Sequence, residues 1–160
     1  MQFSSTIERH LAYDHWANGQ SLASLEKLPA PPKQAVDLLA HLLGAEMCWI
    51  KRMTEGRDAP GIEAWDSMQT LASLRVFWQD ELPAMWKTFL ADKTLSDPSR
   101  TFTVVDFAGN TSRPIRVEDA LLHVLYHSPH HRGQVAALVR AAGGEPAPME
   151  FLRAERAGAV

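Results

Sequence analysis

His123-Val-Leu-Tyr-His127-Ser-Pro-His-His131-Arg-Gly-Gln134 holds four of the chain's seven histidines within twelve positions. Residues four apart share a helix face, so His123, His127 and His131 form a ladder if the stretch is helical. The apolar residues on either side argue that it is. At about 100° per residue, Val117, Leu121, Val124, Val135, Leu138 and Ala142 fall on one stripe, the pattern of an amphipathic helix packed on a core. His131 falls near the middle of that stripe, and His127 about 40° off it by the same arithmetic. His123 lies further round, and His130 points almost away. The core-facing pair is therefore His127 and His131. Two imidazoles at i and i+4 on a core edge suit a metal, because neutral imidazole is the commonest protein ligand for zinc and similar ions. The plainer alternative is one buried, hydrogen-bonded histidine with the rest on the surface.

Pro129 sits between the pair. It removes one backbone donor and crowds the carbonyl of Leu125, which costs about 3 kcal/mol in a helix interior. Either the helix kinks, or it ends near His127 and restarts with Ser128 as cap and Pro129 in the first turn. The apolar stripe keeps its phase across the proline, which favours one kinked helix from Val117 to Gly143-Gly144, where glycine can take the left-handed cap. Pro146 and Pro148 stop any continuation, and Met149, Phe151 and Leu152 are placed to fold back on the bundle.

Three more helices precede this one. The first starts near Ser4 or Ser5, with Glu8 available for a capping box, and stops before Pro29. Phe3, Ile7, Leu11, Leu22 and Leu25 define its buried face. Asp14 and Asn18 lie on that same face, flanked by Tyr13 and Trp16. Buried polar groups are costly without partners, so these two meet polar groups, line a wet cleft, or sit on a helix rotated toward solvent. The second helix spans Lys33 to Met53, with Leu39, Leu42, Leu43, Ile50 and Met53 as its stripe and Trp49 beside it. His41 lies at the edge of this face and Glu46 near its middle. His41 is the candidate third partner for His127 and His131. Glu46 is a candidate acceptor for a ligand imidazole, a base for bound water, or half of an ion pair with an arginine. Residues 54–66 form a loop long enough for a crossover. A third helix follows from about Ser67 to Ala91, with Leu71, Leu74, Trp78, Leu82, Met85 and Phe89 as core and Pro83 as a bend. Thr101 to Val105 has strand propensity, Ala108-Gly109-Asn110 is a turn signal, and Ile115 opens a return strand. The fold class is all-α, a four-helix bundle with a small β-hairpin between helices three and four.

At 160 residues the chain is one domain with enough length for a core. A net charge of −3 with no basic block argues against a nucleic-acid partner. The single cysteine, Cys48, excludes an internal disulfide and points to a reducing compartment. With no apolar leader and no stretch long enough to span a bilayer, the expectation is a cytoplasmic protein without a membrane partner. The zinc-protease His-Glu-x-x-His is absent, as are the paired Glu-x-x-His motifs of di-iron bundles, a Cys-x-x-Cys-His haem motif and a glycine-rich phosphate loop.

Three stretches carry a resemblance: Tyr13-Asp-His-Trp-Ala-Asn18, His41-Leu-Leu-Gly-Ala-Glu-Met-Cys-Trp49, and His127-Ser-Pro-His-His131-Arg-Gly-Gln134. Together with the helical pattern they resemble the DinB family of DinB/YfiT-like metalloenzymes, over about Ile7 to Leu152. The resemblance implies up-down-down-up connectivity, homodimers, and a divalent metal held by His41, His127 and His131. Zinc leads, with nickel, manganese and iron as alternatives. It also implies thiol chemistry, since better-understood relatives join low-molecular-weight thiols such as bacillithiol to electrophiles. A three-histidine site with an open position supports two reactions: attack by a metal-activated thiol, or hydrolysis by a bound hydroxide. A non-catalytic metal-binding stress-response protein is the third reading. Glu46 and Asp14 are the candidate catalytic residues. Asn18, Trp16 and Arg132 are candidates for contacting a small-molecule substrate, and Arg132 and Gln134 also for fixing the helix. Cys48 is structural in this scheme.

Overall fold

The structure, a computed structural model, describes residues 5–58 and 69–160. Helix α1 spans Ser5–Glu26 and α2 spans Lys33–Glu55. Helix α3 (Leu71–Val76) widens into a π-helical turn (Phe77–Glu81) and continues as α4 (Leu82–Ala91). Strands β1 (Thr101–Phe102) and β2 (Ile115–Arg116) form an antiparallel pair, with Thr101 opposite Arg116 and Phe102 opposite Ile115. Helix α5 spans Val117–Ala141 and a short α6 spans Phe151–Arg156.

Contacts along the helices fix their directions. Asp14 meets Arg132 and, just beyond the C-terminal ends of both helices, Leu28 lies against Gly144, so α1 and α5 run parallel. His41 lies beside His131 and Trp49 beside His123, so α2 runs against α5. Glu26 pairs with Arg75 and the carbonyl of His15 with Trp78, so α3 runs against α1. Trp86 reaches Glu46, and Arg100, beyond α4, reaches the carbonyl of Met53 at 2.6 Å, so α4 runs with α2. The bundle is up-down-down-up. Its core holds Leu22, Leu25, Leu39, Leu42, Leu43, Met53, Leu74, Leu82, Phe89, Leu121 and Val135, all from the helical stripes. No described helix is long and apolar enough to cross a membrane.

Several boundaries differ from the sequence reading for local reasons. The third helix starts at Leu71 rather than near Ser67. Thr70 is extended, its side chain accepts from the Ser73 amide, and its own amide donates to the Ser73 hydroxyl, a complete capping box. Ser67 itself, like Phe3, Ser4 and most of the 54–66 loop, lies outside the described residues. Pro83 has no amide hydrogen to offer four residues back. The turn before it is widened, and the Leu82 amide bonds to the carbonyl of Phe77, five residues back. The hairpin pairs fewer residues than Thr101 to Val105. Beyond Phe102 it continues only as a bridge between Val105 and Thr111 and a second between Val105 and Arg57. In the tail, Phe151 stacks on His10 and tilts against Tyr13, but Leu152 faces solvent at 59% exposure, against expectation. It lies one residue round a one-and-a-half-turn helix whose other face is already on α1.

Candidate metal centre

Helix α5 is helical without interruption through Pro129. The Ser128 hydroxyl donates to the Val124 carbonyl at 3.1 Å within it. With no break at Ser128, His127 and His131 stand one turn apart and both meet α2. Their rings lie 4.4 Å apart, and that of His41 lies 5.2 Å from His127 and 4.8 Å from His131. One nitrogen from each of the three lies within 4.8 Å of the others. All three side chains are half-buried, so the cluster has a solvent side.

The donor chemistry fits a divalent cation. His131 Nδ1 bonds to Gln134 Oε1 at 2.7 Å, so that nitrogen carries the proton and Nε2 presents a lone pair. That Nε2 faces His127 Nε2 at 3.0 Å. Burial, then the imidazoles of His131, His41, His123 and His130, depress His127 to about 4. Burial also lowers His131, against the Gln134 bond that raises it. His127 is therefore uncharged at neutral pH, the state that metal binding requires of an imidazole. His123 stands outside the trio, stacked on His127 at 5.8 Å and packed on Trp49 at 4.9 Å. His10 stacks on Phe151, and His15 on Trp78 at 4.7 Å, both away from the cluster. Cys48 is buried.

Asp14, Asn18, Glu46 and Arg132 are brought together, but inside the bundle, at 1%, 1%, 4% and 3% exposure. Arg132 Nη1 donates to Asp14 Oδ1 at 2.5 Å and to Asn18 Oδ1 at 2.8 Å. The Asn18 amide donates to Asp14 Oδ2 at 3.2 Å and to Glu46 Oε1 at 2.8 Å. Trp86 Nε1 donates to Glu46 Oε2 at 2.8 Å. These polar groups satisfy one another across α1, α2, α4 and α5, the arrangement a buried network needs. Arg132 Nη2 is buried without a hydrogen-bond partner among the described residues, and the guanidinium lies 5.5 Å from the Tyr13 ring centroid, within cation–π range. Burial, then the Asp14 charge, pushes Glu46 well above the usual carboxylate range, against the Trp86 bond and the Arg132 charge. Trp16 is half-buried beside Tyr13, their rings 6.4 Å apart, and joins neither cluster.

Two features were not read from the sequence. Trp86 shares a face with Leu82 and Phe89, and an indole N–H in a core needs an acceptor; that was the available signal. The second is the rotation of α5. Its buried line passes through Ser128 and Arg132, and His131 lies at the flank instead of near the middle. Apolar residues alone set the phase read from the sequence, and Arg132 was not counted among buried positions.

Searches among curated proteins and among solved structures return no match. A family model described as "DinB family" matches residues 3–158, essentially the whole chain, and includes all three histidines. With that coverage, the chain belongs to the DinB family.

Proposed function

We propose that the protein is a divalent-metal enzyme of the thiol-transferase type, with His41, His127 and His131 as the protein ligands. The observation that carries the reading is the convergence of three imidazole nitrogens from two helices within 4.8 Å on a half-exposed face. When bound, the metal supplies a Lewis acid that makes a thiol acidic at neutral pH without a protein base. Three neutral ligands leave it its full charge for that purpose. The chain's own contribution is to hold the donors. Gln134 fixes the His131 tautomer, and the low pKa of His127 keeps its lone pair free. The reaction class is substitution at an electrophilic carbon. A carbon–sulfur bond forms, the leaving group departs with its electron pair, and the thiol proton passes to water.

The first test is elemental analysis of untagged protein beside His41→Ala. About one zinc, nickel, manganese or iron per chain, with a large loss in the variant, is expected. Metal-loaded protein should then consume low-molecular-weight thiols in the presence of small electrophiles. Turnover with water alone, lost in His131→Ala, would assign a hydrolase instead. Metal binding without turnover across a broad thiol and electrophile panel would assign a non-catalytic metal-binding protein. Wild-type protein that takes up no metal after reconstitution would defeat the reading.

A further inference from the structure

In its second half the buried face of α5 turns away from the stripe of Val117, Leu121, Val124, Val135, Leu138 and Ala142, although Val135, Ala136 and Val139 on that buried face are themselves apolar. At about 100° per residue, the buried positions of its second half (Ser128, Arg132, Val135, Ala136, Val139) centre roughly 50° from the apolar stripe. By the same arithmetic, His131 moves from about 30° to about 80° off the buried centre. Leu138 is left half-buried. Hydrophobic burial alone does not decide between the two rotations, since the observed one buries Ala136 and Val139 while Leu138 is half-buried. Something polar holds the helix, and the candidates are few. The Ser128 hydroxyl bonds within its own helix, and so does the Gln134–His131 pair, so neither can turn α5 against its neighbours. Arg132 can. Its one guanidinium nitrogen Nη1 reaches two residues of α1, and Asn18 ties that point to Glu46 of α2, which Trp86 of α4 holds in turn.

We propose that the Arg132–Asp14 pair, braced by Asn18, is a rotational lock on α5 that turns His127 and His131 out of the core and onto His41. Arg132 and Asp14 are then positioning residues for the metal centre, and this consequence rests on the three-histidine reading above. The lock acts through adjacency. Arg132 directly follows His131, so fixing one side chain in the core fixes the other at the flank.

The test removes the lock without leaving a lone buried charge, because truncating one partner would destabilise for that reason alone. In the double variant Asp14→Ala, Arg132→Ala, both charges go and neither position gains a large apolar anchor in the core. Two quantities are measured once circular dichroism has shown a helical fold. One is the rate at which diethyl pyrocarbonate modifies His131 in chelator-treated protein, read by peptide mass spectrometry. The other is zinc affinity by chelator competition. With the lock gone, His131 turns toward the core. Its modification should slow severalfold, and zinc should bind about 10–100-fold more weakly, the usual scale for losing a residue that orients a ligand. Arg132→Lys, which keeps the charge but loses the planar fork, should shift both in the same direction by less, and serves if the double variant does not fold. An unchanged modification rate in a folded variant overturns the lock. Unchanged zinc affinity overturns its bearing on the site. If the wild-type chain binds no zinc, the metal reading fails by itself, and the modification rate still decides the lock.

Discussion

Replacing Glu46 by glutamine probes the charge balance inside the bundle. Arg132 supplies one positive charge, and two carboxyl groups, Asp14 and Glu46, face the same network. Burial and the Asp14 charge raise Glu46 well above its ordinary 4.5. The cluster then holds one cation, one anion and one neutral acid. The sign of the pH dependence follows. At or below the unfolded value both states carry the proton, and the full contribution of the neutral acid to stability is present. Above it the unfolded chain releases the proton while the folded chain keeps it. Stability then falls as pH rises, by about 1.4 kcal/mol per pH unit, until the folded group also ionises. A glutamine in its place cannot titrate. Its amide hydrogens must face either the Asn18 or the Trp86 donor, a fixed cost of about 1–3 kcal/mol at every pH. The wild type should therefore be the more stable at pH 5, and its advantage should shrink as pH rises, by at most about 1.4 kcal/mol per unit and only until the folded group ionises. His127 acts oppositely. Its depressed value makes stability rise from about pH 4 to 6.5, but it is present in both proteins and cancels in the difference. The assay is urea unfolding of chelator-treated protein in half-unit steps from pH 5 to 7. Parallel curves for wild type and Glu46→Gln would mean that Glu46 is ionised in the folded state, and the charge count would be wrong.

Two further changes read other parts of the molecule. Gln134→Leu removes the acceptor that holds the His131 Nδ1 proton. Zinc affinity, by chelator competition, should drop about 10–100-fold, while metal-free stability should stay within about 0.5 kcal/mol because Gln134 is exposed; equal affinity would refute the role of the bond. Gly19→Ala would place a Cβ 2.4 Å from Trp78 Cζ2. That ring has little room to yield, being stacked on His15 at 4.7 Å and bonded to its carbonyl at 2.8 Å. The urea midpoint should fall by the equivalent of about 1–3 kcal/mol, and an unchanged midpoint would show that Trp78 moves freely.

The four helices, the hairpin and the three histidines follow from patterns local to single segments of chain. Apolar spacing fixes a helix and its buried side, because both depend on the covalent geometry of one segment. Asp14, Asn18 and Glu46 stood out for the same reason, as polar residues on apolar faces. Where each polar group would find its partner did not follow. Asp14 and Arg132 are 118 residues apart, and Glu46 and Trp86 are 40 apart. Only packing four helices together sets which donor reaches which acceptor. The rotation of α5 belongs to this second kind. A hydrophobic stripe fixes a helix face only to within a few tens of degrees, since burial is non-directional. A guanidinium held by two residues of another helix fixes it far more tightly. For that reason local pattern was enough to place His41, His127 and His131 in one bundle, and only the packing of its helices brings them face to face.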